Sequence, residues 1–460
     1  MPYQSINPAT GKVLKTFKEL TDTQLEKALR IAAACYTAWR QTSFTRRTAV
    51  ASKAAAILRQ RVDEFARPMT LEMGKRIAEA RGEVAVSADI IDYYAKNAER
   101  FLAPQKLKPK SGQAVIESGP LGVLFGVQPW NFPYYQLARF AAPNLMAGNV
   151  VMVKHAGCVP QCALAFERLW REAGAPVGAY TNLFVSHDQV NEVIDDPRIR
   201  GVALTGGVGA ARRVAARAGQ NVKKTTMELG GNDAFIVLGD ADIDQAVKWA
   251  VWGKMNNMGQ CCVAAKRFIV VEKVYGSFLA KFQAALAGFT PGDPMDPATT
   301  LAPLSTEAAL VTLLGQVKRA VAKGATAVLG GKRLARPGSY MQPTILTNIH
   351  PSNPAYREEF FGPVALFFRV KNEDEAVTLA NDSDFGLGGS VFTRDVARGR
   401  RVARRLDTGM VFINHPTWTA ADLPFGGIKH SGYGRELSSL GIQEFVNKKL
   451  VRVSSLGAAP

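Results

Sequence analysis

Apolar positions along the chain change texture about a quarter of the way in. From Thr23 to about Phe101 they recur at three- and four-residue spacings among charged residues, the period of amphipathic helices. Thr23-Gln24-Leu25-Glu26 predicts a capping box opening a helix that runs to about Trp39, and Arg46–Phe65 and Arg81–Phe101 predict two more. Beyond that point Val123–Gln128, Asn149–Lys154, Tyr180–Val185 and Gly201–Thr205 are short, nearly unbroken apolar runs, with helical stretches at Tyr134–Ala147 and Pro160–Ala173 between them. This alternation predicts a parallel α/β sheet covered by helices, since a strand buried on both faces needs no polar alternation. A second alternation runs from near Ala234 to about Gly426, so the pattern predicts two α/β domains with a crevice between them, where open α/β sheets hold ligands. Lys106–Ser118 and Phe445–Val453 fit neither series and read as extended segments able to pair into a small sheet or arm between subunits.

Composition narrows the class. At 460 residues, 47% hydrophobic and 21% charged, the chain is long enough for two or three well-buried domains of a soluble protein. No apolar run approaches the roughly 18 residues of a membrane span. Met1-Pro2-Tyr3-Gln4 has no basic-then-apolar leader pattern, and five cysteines, two of them adjacent, suggest no disulfide framework, so a reducing cytoplasm is expected. The net charge of +18 concentrates around Arg198–Lys224 and Arg394–Arg405. With no zinc-finger spacing, aromatic-studded basic repeat or basic tail, it reads as a solvated surface that favours anionic ligands rather than as a nucleic-acid interface.

The candidate chemistry lies in a few glycine- and proline-marked segments. Asn257-Met258-Gly259-Gln260-Cys261-Cys262 offers a thiol on a tight turn, and Met227-Glu228-Leu229-Gly230-Gly231 offers a carboxylate just before two glycines. A thiol nucleophile and a base are what oxidation of an aldehyde through a covalent thioester requires. In Pro129-Trp130-Asn131-Phe132-Pro133 two prolines fix the path around Asn131, whose amide suits an oxyanion beside the Cys262 backbone N–H. Thr205-Gly206-Gly207-Val208-Gly209-Ala210-Ala211 joins a strand to a helix and can set a pyrophosphate at the helix N-terminus, with Lys154 able to reach ribose hydroxyls or phosphate. In Glu359-Phe360-Phe361-Gly362-Pro363, Glu359 suits a nicotinamide ribose and Phe361 its ring, although a phenylalanine is more often core. No metal-ligand cluster is expected.

These segments, in this order and over nearly the whole chain from Asn7-Pro8-Ala9-Thr10-Gly11 to about Val453, resemble the aldehyde dehydrogenase superfamily. The resemblance implies an α/β fold with a Rossmann-like cofactor domain (1–105 and 122–229), an α/β catalytic domain (230–430), and a small oligomerisation arm with the C-terminal segment (106–121 and 431–460). It implies Cys262 as nucleophile, Glu228 as base and Asn131 as oxyanion donor. It places Gln128, Pro129, Trp130, Lys154, His155, Gly157, Thr205, Gly206, Gly207, Leu229, Glu359 and Phe361 at an NAD or NADP cofactor. It also implies a homodimer or homotetramer. Lys154-His155-Ala156, Ala264-Ala265-Lys266-Arg267-Phe268 and Phe425–Glu436 look most like the short bacterial succinate-semialdehyde dehydrogenases within it.

By that likeness Arg139 would hold a substrate carboxylate, and a planar guanidinium suits the task. Departures from the pattern bear on substrate and cofactor. Asn256 stands six residues before the nucleophile, where some relatives carry a second arginine, and Thr419 corresponds to a substrate-loop hydroxyl. The phosphate turn has Gly207 for a common serine and Ala211 for a usual glycine. Gly157 lies three positions after Lys154, where NAD-preferring members carry an acid. Without that carboxylate to repel a 2′-phosphate, NADP is slightly favoured over NAD. The alternatives are a broad-range or CoA-acylating aldehyde dehydrogenase and a non-catalytic binding or structural relative. Glu228 argues against acyl transfer to CoA, and Cys262, Glu228 and Asn131 together argue against a non-catalytic relative.

Overall fold

The computed structural model describes residues 3–454 and 456, so Met1, Pro2, Ser455 and residues 457–460, the outer ends of the expected first and last segments, lie outside the described residues. Two parallel-type sheets dominate. The first has six strands in the order Gly432–Tyr433, Lys224–Glu228, Ile199–Thr205, Val123–Gln128, Val150–His155, Tyr180–Asn182. All its neighbours run parallel except Gly432–Tyr433, which pairs antiparallel to Lys224–Glu228. Residues past 430 therefore complete the edge of the first sheet. The second has seven strands in the order Thr326–Leu329, Thr344–Thr347, Val364–Val370, Arg267–Val271, Ala234–Val237, Gly389–Phe392, Phe412–Ile413. The central strands Val123–Gln128 and Arg267–Val271 are almost wholly buried, the physical counterpart of their unbroken apolar sequence. Each sheet has its own apolar core. A third, three-stranded sheet pairs Gln113–Pro120 with both Gln105–Leu107 and Val446–Val453.

The helix-rich start departs from the periodicity in two places. The first helix is Asp22–Trp39, and its reciprocal cap is Thr21 with Gln24, two residues before the expected Thr23–Glu26 box. Thr21 and Gln24 have the same spacing as Thr23 and Glu26, so the pattern alone does not choose between them. The expected helix Arg46–Phe65 is two, Phe44–Gln60 and Val62–Met73, separated at Arg61. The apolar period continues across the break, so periodicity alone does not register a single non-helical residue. Arg61 spends its guanidinium there on Glu64 and Glu172.

Two helices, Pro133–Ala147 and Pro160–Ala173, begin on proline and have no side-chain cap of their own. Their unpaired N–H groups are met instead by buried carboxylates from the helix-rich layer. Glu83 accepts from the N–H groups of Tyr134 (2.8 Å) and Tyr135 (3.1 Å). Glu72 accepts from those of Gln161 and Cys162, both at 2.9 Å. A carboxylate at a helix N-terminus satisfies donors and complements the dipole. Glu83 is also paired with the buried Lys75, whose ammonium donates to the carbonyl of Asn131 at 2.8 Å. One buried ion pair thus fixes both the start of the fully buried helix Pro133–Ala147 and the loop just before it.

Lys75→Met leaves Glu83 buried without its cation. The expected loss of unfolding free energy is about 3–5 kcal/mol, the usual cost of removing one partner of a buried pair. Urea unfolding of the variant measures it, and stability close to that of the parent contradicts the assigned role.

Candidate active site

The helix Ile243–Met255 ends in a short turn over Asn256–Gly259 that bends the chain back sharply. Asn257, Met258 and Gly259 have φ of 50°, 54° and 72°. For the two residues with a Cβ this left-handed conformation costs roughly 1–2 kcal/mol each. Hydrogen bonds offset it: the Asn257 amide donates to the carbonyls of Asn131 (2.8 Å) and Gln260 (3.1 Å), and the Gln260 side chain accepts from the Ser305 N–H at 2.9 Å. Gly259 has no alternative, because a Cβ there would strike the carbonyl of Gly362.

This turn delivers Cys262 to the wall shared by two cavities. One, of about 170 Å³, has aromatic walls from Phe132, Trp418 and Phe425, with Asn256 beside them and the hydroxyls of Tyr135 and Thr419. Those hydroxyls lie 2.9 Å apart. The other, of about 250 Å³, is lined by Pro129, Trp130, Asn131, Thr205, Gly206, Gly207, Leu229, Glu359 and Phe361. Cys262 lines both. The Asn131 amide spends one hydrogen on the Gln260 carbonyl at 3.1 Å and has a second. The Cys262 N–H meets no protein acceptor among the described residues.

The second cavity has the features a dinucleotide needs. Gly207 is the N-cap of helix Val208–Gln220, and no side chain caps it or places an acid in its first turn, so its N–H groups face an open approach. A Cβ at Gly207 or Gly209 would meet nothing, and at Gly206 only ordinary contact with Leu204. Glu359 accepts from the Gly231 N–H at 3.0 Å, and Phe361 stands edge-on to Trp130 at 5.8 Å between ring centres. Phe361 is half-buried at the cavity wall rather than in the core.

Four expected cofactor residues do not line this cavity. His155 is buried, its ring nitrogens lying 3.2 Å and 3.1 Å from the carbonyls of Gln128 and Pro133, and burial pushes its pKa down to about 4. That neutral ring ties two strand ends together. Gln128 is buried beside it, and the Gly157 carbonyl accepts from the Gln4 N–H at 2.9 Å. The Lys154 ammonium lies 5.4 Å from the centre of the Tyr3 ring.

Arg139 does not reach the aromatic cavity either. Its guanidinium is buried behind the wall, paired with Glu436, and donates to Tyr135 Oη and Thr205 Oγ1, each at 3.2 Å. Glu228 lines neither cavity and is buried, with no hydrogen-bond partner for either oxygen among the described residues. Its Oε1 occupies space that only glycine leaves open, since a Cβ on Gly426 would lie 2.7 Å from it. Burial first, and then the charge of Glu436, hold its pKa well above the carboxylate range, while Arg139 and Arg435 act in the opposite sense. The Cys262 thiol is held up by its hydrogen bond with Cys261 and by burial, against Arg139 and Lys266. A base is therefore needed to ionise it.

Sequence reasoning passed over Tyr135, Glu436, Lys266 and the Lys75–Glu83 pair. Glu83 alone carried a signal, a carboxylate on the buried stripe between Ala80 and Ser87.

The aldehyde dehydrogenase family model matches residues 1–451 of the chain. The chain is 51% identical to the succinate-semialdehyde dehydrogenase [NADP(+)] of Deinococcus radiodurans, over 98% of this chain and 94% of that one. Among solved structures it is similar to Gox0499, at 54% identity and a TM-score of 0.98, covering 99% of this chain and all (100%) of that one. It is similar also to the succinic semialdehyde dehydrogenase of Streptococcus pyogenes in complex with NADP+, at 46% identity and a TM-score of 0.97, covering 98% and 100%.

Because the Glu228 pKa is raised, a step that needs its carboxylate is lost as pH falls through that raised value. Glu436→Gln removes the repulsion and leaves Arg139 to Glu228, so the acid limb of the kcat/KM profile is expected to move to lower pH. An unmoved limb, or one displaced upward, contradicts this electrostatic account.

Proposed function

The chain belongs to the aldehyde dehydrogenase family, and from that premise we propose that it oxidises succinate semialdehyde to succinate with NADP, and with NAD less well. The observation that carries this reading is the position of Cys262 on the partition between the two cavities, where one thiol can meet an aldehyde from one side and a dinucleotide from the other.

The aldehyde enters the aromatic cavity with its carbonyl carbon at Cys262 Sγ. Glu228 swings from its buried rest position and takes the thiol proton. The thiolate adds to the carbonyl, and the oxyanion receives the free Asn131 N–H and the Cys262 backbone N–H. The helix N-terminus after Gly207, Glu359 and the wall of Trp130, Leu229 and Phe361 would hold NADP, which would supply the hydride acceptor that oxidation of this adduct to a thioester requires. Glu228, having released that proton to solvent, then deprotonates water, which attacks the thioester; the acid leaves and the departing Cys262 thiolate recovers a proton from Glu228.

At the far end of the cavity the semialdehyde carboxylate meets the hydroxyls of Tyr135 and Thr419. Arg139 stands one layer behind, its guanidinium on Tyr135 Oη, so it favours an anion there without touching it. Names and cofactors of the Deinococcus and Streptococcus relatives support both the substrate and NADP. Gly157, with no carboxylate toward a 2′-phosphate, supports NADP as well.

Within the same reading, copies assemble through the three-stranded sheet, where Leu107, Leu450 and Val453 are exposed. The compartment is the reducing cytoplasm, which keeps a nucleophilic thiol free.

Two measurements test this. Glu228→Gln is expected to give one slowed burst of reduced cofactor per site and then stall, because solvent can still ionise the thiol slowly while water at the thioester is no longer activated; steady turnover at the parent rate contradicts it. Tyr135→Phe with Thr419→Val removes the hydroxyls that meet the carboxylate. Hydrogen bonds to a charge are worth about 1.5–3 kcal/mol, so kcat/KM for succinate semialdehyde is expected to fall roughly 10- to 100-fold. Butanal, which has no carboxylate, is expected to change little, and equal losses for both aldehydes remove the basis for the semialdehyde assignment.

A further inference from the structure

Lys266 is fully buried beneath the nucleophile turn, and its ammonium has three partners. It donates to the backbone carbonyls of Cys261 (3.0 Å) and Cys262 (2.7 Å), and it lies 3.2 Å from Glu359 Oε1. The same carboxylate oxygen accepts from the Gly231 N–H and lines the dinucleotide cavity. Nothing in the catalytic steps above uses this side chain, yet it touches both the backbone of Cys262 and an acid of the cofactor wall.

We propose that Lys266 is a positioning residue that couples occupancy of the dinucleotide cavity to the reactivity of Cys262. Its two bonds to consecutive carbonyls hold the peptide planes on either side of the Cys262 Cα, and so aim the Cys262 N–H and Sγ. Its third contact fixes Glu359 at the cavity wall. A ligand hydroxyl that engages Glu359 draws charge density from Lys266, which changes the field at the thiol. The inference rests on the roles proposed above for Cys262 and Glu359.

The surroundings make Lys266 effective. Cys262 faces the Cys261 thiol, Arg139 and Lys266; Lys266 in turn faces Glu359, Asp233 and Lys254. Lys254 is buried with no hydrogen-bond partner for its amine among the described residues, and burial first, then Lys266 itself, push its pKa well down. Burial thus disfavours the charged form of Lys254. Burial pushes Asp233 up to about 6, opposed by Lys266, so at neutral pH Asp233 is mostly ionised and stands beside Glu359 as a second anion facing Lys266.

The test uses the full chain and needs no turnover. Alkylation of Cys262 by iodoacetamide is followed across pH, with the modified peptide identified by mass spectrometry, and NADP affinity is followed by calorimetry. Lys266→Met is expected to slow alkylation at neutral pH and to weaken NADP binding, each roughly tenfold, the scale of one lost charge-assisted hydrogen bond. Lys266→Arg, which restores the charge and the donors, is expected to recover part of both. Glu359→Gln keeps Lys266 but releases its anion, so alkylation is expected to speed up and its midpoint to move to lower pH, although the substitution lies in the other cavity. That last result is one a merely structural lysine does not give. If Lys266→Met folds and shows parent alkylation and affinity, or if Glu359→Gln leaves the thiol profile unmoved, the coupling is overturned. Should the alkylated cysteine of the parent protein be another residue, the failure lies with the nucleophile assignment instead. If Lys266→Met does not fold, Glu359→Gln alone decides.

Discussion

The site depends on a local backbone conformation that the chain adopts at a cost. Asn257, Met258 and Gly259 all lie at positive φ, and without that turn Cys262 could not lie on the partition between two cavities. Backbone strain of this kind persists only where the surroundings over-determine it. Here they do so from several directions: Asn257 reaches the Asn131 carbonyl, Gln260 holds Ser305, Lys266 grips the next two carbonyls, and Gly362 excludes a side chain at Gly259. The oxyanion loop is held by the same set, since the Asn131 carbonyl accepts from both Lys75 and Asn257. Cys262 and Asn131, the proposed nucleophile and oxyanion donor, are therefore positioned as one unit, although they come from different sheets.

Buried charge is the second constraint. Arg139 serves two buried carboxylates, Glu436 directly and Glu228 through space, and it meets the wall of the substrate cavity at the Tyr135 hydroxyl and the Phe425 ring, whose centre lies 4.6 Å from the guanidinium. A cation so committed cannot be removed without leaving uncompensated charge behind. Glu228 rests in a pocket where its ionised form is disfavoured, which fits a group that must first move and then act as a base. Burial first and then Glu436 raise the pKa of that base, and Glu436 is contributed by the C-terminal segment that also completes the first sheet.

Much of this was legible in the sequence where the signal is local. The strands Val123–Gln128 and Gly201–Thr205 were read from continuous apolar runs, the second beginning two residues earlier in the structure, and Pro129–Pro133, Gly206–Gly207 and Asn257–Cys262 from glycines and prolines whose backbone roles are intrinsic to those residues. What escaped was non-local. Lys266 looks like any lysine until folding buries it, and nothing near Arg139 in the chain announces Glu436. The resemblance implied Arg139 at the substrate, but it did not show the partners Glu436, Tyr135 and Thr205 that tertiary packing gives the guanidinium. It also implied His155 and Gly157 at the cofactor, without showing that the His155 ring ties a strand end and that the Gly157 carbonyl receives the N-terminal strand. Capping by Glu72 and Glu83 was hidden for the same reason, because a helix that starts on proline gives no hint of which distant carboxylate will meet its N–H groups.

The account turns on a covalent bond at one of two adjacent thiols. The direct measurement is to mix Glu228→Gln protein with succinate semialdehyde and NADP, quench in acid, digest, and locate any acyl group by mass spectrometry. The account predicts one succinyl group per chain, attached at Cys262 and dependent on NADP. A succinyl group on Cys261, or none on either thiol while NADPH still accumulates, would contradict it.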